Sequence, residues 1–154
     1  MSLIISLLFL IRMFSRAGEI ALKIMIYLAA DQREGRWIGL KEIVQAIDSP
    51  EAFSAKILQR LTKQGLVQSI RGPSGGFQLP KNRSITLHEV IIAIDGEGIF
   101  TDCVLGLPNC SETHPCPVHD KFKAVRDHLA GILISTTIEE VKEGILLGHY
   151  YLRK

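Results

Sequence analysis

Apolar residues return every third or fourth position along most of the chain, and the breaks in that rhythm divide it into elements. Ile20, Ile24 and Leu28 form one stripe, and Ser15 stands where an N-cap is wanted, so the spacing predicts a helix running to about Ala30. The stretch from Gly35 to Gly39 breaks it. Leu40, Ile43, Val44 and Ile47 then follow at i, i+3, i+4 and i+7, the apolar face of a short amphipathic helix with Lys41 and Gln45 on its polar side. After a turn at Asp48 and Ser49, a third helix is expected, with Ser49 as N-cap, Pro50 at its first position, Glu51 beside the positive dipole end and Gly65 as its stop. Phe53, Ile57, Leu58 and Leu61 supply its core face; Ser54, Lys56, Gln59, Arg60 and Lys63 are left for the other side.

The period then changes. Leu66 to Ile70 and Phe77 to Leu79 read as two short strands around the turn Arg71-Gly72-Pro73-Ser74-Gly75-Gly76, a hairpin. Thr86 and Glu89 have the spacing of a capping box, and Leu87, Val90, Ile91 and Ile94 continue it as a fourth helix ending near Gly96. From Asp95 to Val118 no periodicity survives, so a long loop is expected. Beyond it Val118, Phe122, Val125, Leu129 and Ile132 recur at alternating intervals of four and three, a heptad seam that calls for a partner helix, preferably that of a second copy. Thr136 or Thr137, with Glu139 or Glu140, opens a last short helix.

Net charge is +2 over 154 residues, but the charge is unevenly spread. Residues 13–86 hold eleven Lys/Arg against six Asp/Glu, and residues 87–154 hold six against ten. Between Ala52 and Arg83 there are six basic residues and no acidic one. A basic segment of this kind suits a polyanion. Two helices joined by a tight turn, the second polar and basic outside, form a helix-turn-helix, and the hairpin after it forms a wing. Donors and cations at Ser54, Lys56, Gln59, Arg60 and Lys63 can address base edges and phosphates of double-stranded DNA. In the wing, Gly72, Gly75 and Gly76 let the backbone turn and approach a phosphate beside Ser74, while Arg71 is placed to enter a minor groove. The expected fold class is mainly α with a small β-wing: a winged helix-turn-helix followed by a cysteine loop and a long dimerisation helix.

All three cysteines fall in the aperiodic loop, as Cys103, Cys110 and Cys116, followed by His119 in the pattern C-x6-C-x5-C-x2-H. Thiolates and an imidazole suit an iron–sulfur cluster, zinc or copper(I). Pro115 and Pro117 stiffen the backbone around Cys116. A structural zinc site is the main rival; the lack of a C-x2-C knuckle favours a cluster. A thiol-based redox switch is the other alternative. The apolar run in residues 1–12 is too short to cross a bilayer and lacks the features of a secretory signal, so no membrane association is expected and the compartment is expected to be the cytoplasm. Met13 offers a second start, which makes residues 1–12 an expected appendage or start-site artefact. No nucleotide-binding or catalytic constellation is present, so an enzyme is not expected.

The run Gly65-Leu66-Val67 through Arg71-Gly72-Pro73-Ser74-Gly75-Gly76-Phe77, with Ile85-Thr86-Leu87 and Glu89-Val90-Ile91 after it, resembles the IscR- and NsrR-like (Rrf-two type) winged-helix transcriptional regulators over residues 13 to about 146. The resemblance implies a homodimeric bacterial regulator whose operator affinity is controlled by a cluster, a 2Fe–2S or a 4Fe–4S centre, that senses redox state, nitric oxide or iron and cluster status. It places the cluster ligands at Cys103, Cys110 and Cys116, with His119 where IscR-like members carry a histidine ligand. Glu19 aligns with the carboxylate that NsrR-like members supply from the partner subunit, and is the alternative fourth ligand. It also gives Arg71 the minor groove and Ser54, Lys56 and Gln59 the major groove. Two departures stand out: six residues separate the first two cysteines where IscR-like members have five, and Ala55 replaces a glutamate that screens operators. The expected organisation is a leader (1–12), a DNA-binding domain (13–86), a connecting helix with the ligand loop (87–118), and a dimerisation helix with its tail (119–154).

Overall fold

The computed structural model describes residues 13–31, 35–149 and 151–152, so the expected leader lies outside the described residues. Its elements run α1 (Arg16–Ala30), α2 (Leu40–Ile47), α3 (Glu51–Lys63), β1 (Gln68–Ile70), β2 (Gly76–Gln78), α4 (Leu87–Asp95), α5 (Gly98–Thr101), α6 (His119–Ser135) and α7 (Ile138–Leu146). The fold is mainly helical with one small antiparallel sheet, a winged helix-turn-helix.

Helix α1 is the axis of the molecule, packing against α2, α3, α4, α7 and β2. Its stripe is buried as the spacing requires: Ile24 and Met25 are fully enclosed, and Ile20 and Leu28 nearly so. Against it stand Ile43 and Ile47 of α2, Ile57, Leu58 and Leu61 of α3, and Leu66 and Val67 of the following turn. Each such side chain contributes about 1.5–3 kcal/mol on leaving water. The core does not stop at residue 86, because Val90 and Ile94 of α4 and Ile138 of α7 belong to the same cluster. Two connectors hold α7 there: Ile138 N–H donates to the Ile85 carbonyl at 2.8 Å, and Leu87 N–H to that of Thr136 at 3.0 Å.

Caps follow the sequence with one shift. Ser15 Oγ accepts from Gly18 N–H, Thr137 from Glu140 N–H, and Thr86 with Glu89 closes both halves of a capping box. Ser49, expected to cap α3, does not. Asp48 ends α2 in the left-handed region at φ 51°, Pro50 takes the cap position, and the Ser49 hydroxyl turns inward onto that of Ser54. The expected loop from Asp95 to Val118 contains the single helical turn α5, and otherwise lacks regular structure.

Candidate metal centre and nucleic-acid interface

The wing is a hairpin in which Gln68 pairs with Gln78, Ser69 with Phe77 and Ile70 with Gly76. A third segment joins it. Ile38 and Phe77 exchange both backbone hydrogen bonds at 2.9 Å, fastening the wing to the stretch before α2. This dictates Gly76: a Cβ there would lie 2.5 Å from the Ile38 carbonyl oxygen. A Cβ on Gly75 would lie 2.4 Å from the Ile70 carbonyl oxygen, so both glycines are required by close backbone approaches within the protein. Gly72, at φ +112°, is the one that supplies the left-handed conformation at the tip.

Helix α3 and the wing enclose a groove of about 420 Å³ lined by Gln59, Thr62, Lys63, Ser69, Ile70, Arg71 and Phe77. Gln59, Lys63 and Arg71 of this lining are exposed, as are Lys56, Gly72 and Ser74. Two predicted DNA contacts are placed otherwise. Ser54 is fully buried and bonded to Ser49, because it lies on the edge of the α3 core face where the α2–α3 turn covers it. The guanidinium of Arg60 donates to the carbonyls of Ile94 at 2.6 Å and Ala93 at 3.3 Å, the open end of α4.

The cysteine loop is bent by local bonds. Gly106 N–H donates to the Cys103 carbonyl at 2.8 Å, Cys110 N–H to Leu107 at 3.2 Å, and Ser111 and His114 exchange both backbone bonds at 3.2 Å. His119, the first residue of α6, returns to the Cys116 carbonyl at 3.0 Å. These turns bring three unpaired thiols together, all Sγ atoms within 4.8 Å of one another. Cys103 and Cys116 stand 3.7 Å apart, and His119 Nδ1 is 3.2 Å from Cys110 Sγ. The mutual set is the three thiols; His119 borders it at Cys110, and Glu19, in the first turn of α1, is not part of it within this chain.

The thiols differ in acidity. Backbone hydrogen bonding from Leu107 outweighs desolvation and, with Leu105 and the neighbouring thiols, holds Cys103 down at about 7, well toward thiolate at neutral pH. For Cys110 the backbone at Cys116 also favours the thiolate, yet burial and the adjacent Cys103 and Cys116 together push it up. Cys103 is thus ready as a soft ligand, while its neighbour Cys110 holds its proton more tightly. The donor set fits a soft, tetrahedral centre: two thiolates on one such ion, with bonds of about 2.3 Å, stand about 3.8 Å apart. His119 Nε2 is buried without a partner, an imidazole held with Nδ1 toward sulfur and its other nitrogen away from water.

The heptad seam starts at the same loop. Phe122, Val125 and Ile132 are exposed, while Val118 and Leu129 are half-buried. Leu133, outside the seam, is the residue of α6 that the chain buries. Arg126 Nε donates to the Phe100 carbonyl at 3.1 Å, and the Phe100 ring packs on His88 with centroids 4.9 Å apart. No helix among the described residues is long and apolar enough to cross a membrane.

Comparison with known proteins agrees with the winged helix-turn-helix fold. The Rrf2 family model, described as iron-dependent transcriptional regulators, matches residues 14–144. An HTH-type transcriptional regulator of Aquifex aeolicus is 32% identical over 131 residues, spanning 83% of this chain and 90% of that protein. The HTH-type transcriptional regulator IscR of Photorhabdus laumondii is 33% identical over 125 residues, 80% of this chain and 75% of its own. Among solved structures, CymR, the global cysteine regulator of B. subtilis, superposes with a TM-score of 0.70 at 30% identity, covering 84% of this chain and 95% of that one. T. potens IscR, at 23% identity and a TM-score of 0.69 over 88% of this chain and 90% of that one, shares the fold.

Proposed function

This chain belongs to the Rrf2 family of transcriptional regulators, a family of regulators and not of enzymes, and from that premise we propose that it is a cytoplasmic homodimer whose affinity for an operator is set by an iron–sulfur cluster held in the cysteine loop. The observation that carries this reading is the convergence of the Cys103, Cys110 and Cys116 sulfurs within 4.8 Å at the start of the seam helix. Those three thiols and His119 would hold the group, with Glu19 of a second copy as the other source of a fourth ligand. Bound there, a 2Fe–2S centre, or a 4Fe–4S one, would supply iron and sulfide open to oxidants and nitric oxide, and iron depletion would leave the thiols without it. The rest belongs to the protein. Lys56, Gln59 and Lys63 on α3 face the major groove, Arg71 and the wing tip at Gly72 and Ser74 face the adjacent backbone and minor groove, and the exposed face of Phe122, Val125 and Ile132 pairs two copies so that two half-sites are read together.

A structural zinc site is the second reading, favoured by one observation: the 3.7 Å between the sulfurs of Cys103 and Cys116 is the spacing of two thiolates on a single tetrahedral ion. The two readings separate in one preparation. Protein isolated without air is examined by optical spectrum and by iron, sulfide and zinc analysis, and its binding to a duplex selected from a random-sequence pool is measured before and after chelation. Iron and sulfide with visible absorption, and an affinity that changes on stripping, support the cluster. Zinc in colourless protein supports the second reading, and a metal-free, peroxide-responsive protein a thiol switch.

A further inference from the structure

We infer that Arg60 is a positioning residue, through which the cysteine loop sets the pose of the DNA-reading helix, and that it does not contact DNA itself. Its place on α3 would suggest a phosphate ligand, but its guanidinium is turned onto the protein, Nη2 donating to the carbonyls of Ile94 at 2.6 Å and Ala93 at 3.3 Å while the residue stays exposed. These belong to the last turn of α4, where carbonyls have no partner inside the helix and a cation is favoured. The helix itself satisfies only the neighbouring one, through Gly96 N–H on the Ile92 carbonyl at 3.1 Å.

The same turn is fastened on its other side. The Asp95 carboxylate accepts from Ser15 N–H at 3.0 Å and from the Ser15 hydroxyl at 2.5 Å. Gly18 allows that approach, since a Cβ there would lie 2.7 Å from Asp95 Oδ2. Residues 93–96 therefore join α1, α3 and α4 at the point where the chain leaves the reading domain for the cysteine loop. Beyond Gly96, α5 is held to the seam helix through the Phe100 carbonyl and Arg126, and to α4 through the Phe100 and His88 rings. A rearrangement of the loop that shifts the Ala93 and Ile94 carbonyls is felt on α3 through this shared hydrogen bond, beside the apolar packing of α3 on Val90 and Ile94. Among the described residues no other side-chain hydrogen bond joins α3 to α4 or the loop.

This inference rests on the reading that the loop's state governs DNA affinity. The test uses the full chain as wild type, Arg60→Gln and Arg60→Lys, each loaded with iron and sulfide without air or stripped by chelator, titrated against the selected duplex over a range of salt. In wild type the two states should differ at least about fivefold in Kd, the low end of ordinary coupling. In Arg60→Gln that ratio should fall to within about twofold of unity, far below such coupling. Visible absorption per chain stays the same, and so does the salt slope, because no phosphate contact is lost. Arg60→Lys keeps a cation at the α4 terminus and should restore part of the ratio; it also carries the test if the glutamine variant unfolds. A ratio in both variants equal to wild type overturns the positioning role, as does a salt slope lower by about 1, the mark of a lost phosphate contact. Equal affinity of the two states in wild type overturns cluster control as well, and so distinguishes the failure of that reading from the failure of this one.

Discussion

Replacing Gly76 by Ala tests how the wing is held. The new methyl would lie 2.5 Å from the Ile38 carbonyl oxygen, 2.7 Å from its carbon and 3.0 Å from the Ile38 nitrogen, all backbone atoms that no rotamer change can clear. Relief requires parting the bridge between Ile38 and Phe77, with its two 2.9 Å hydrogen bonds, or bending β2 away from β1. Two backbone bonds are worth about 1–3 kcal/mol together, and overpacking costs about 1–3 kcal/mol. A loss of about 2–6 kcal/mol follows, a large part of the roughly 5–15 kcal/mol that holds an ordinary domain together. In a chain of this size about 3 kcal/mol lowers Tm by roughly 6–12 °C. Urea unfolding followed by circular dichroism should show a lower midpoint with an unchanged slope. DNA affinity at a temperature where the variant remains folded should fall too, since Arg71 sits on the displaced hairpin. A variant within about 0.5 kcal/mol of wild type, the ordinary range for a neutral surface change, would refute the close approach.

Three further outcomes are expected. Arg71→Ala weakens DNA binding and lowers the slope of log affinity against log salt by about 1, whereas an unchanged slope would take Arg71 off the nucleic acid. Val125→Asp, at a side chain 62% exposed within one chain, leaves the fold intact and converts dimer to monomer in sedimentation; two buried valines are worth about 3 kcal/mol, more than a hundredfold in Kd. An unshifted dimer would place the interface elsewhere. Burial opposes ionisation of Glu89, but the Thr86 N–H and Arg83 outweigh it and hold the carboxyl below its ordinary 4.5. Its contribution is therefore present at neutral pH and lost as pH falls through the lowered value, so the stability gap between wild type and Glu89→Gln should be flat near neutrality and close in acid. A gap that widens in acid would contradict the sign.

What the sequence made legible was local. The α1 stripe, the Thr86–Glu89 capping box and the α2 face each depend on residues within one or two turns, and all three appear where periodicity puts them. Tertiary contacts decide what the sequence leaves open. Ser54 lies at the border of the α3 core face, and whether a border residue meets water depends on the turn packed over it. The role of Gly76 is invisible without Ile38, which approaches from 38 residues earlier. Arg60 has the composition of a DNA contact, and only the fold brings it to Ile94. For the metal centre, spacing proposed four ligands; the loop's turns gather three sulfurs and leave His119 at the edge, beside Cys110.

Cluster control is tested most directly by one titration: chain prepared without air, with iron and sulfide quantified, against a selected duplex before and after the metal is removed. Iron and sulfide in near-stoichiometric amount and a shift in Kd on stripping are the predicted results. Protein that carries no iron and sulfide, whether zinc-loaded or metal-free, or that binds the duplex equally in both states, would contradict it.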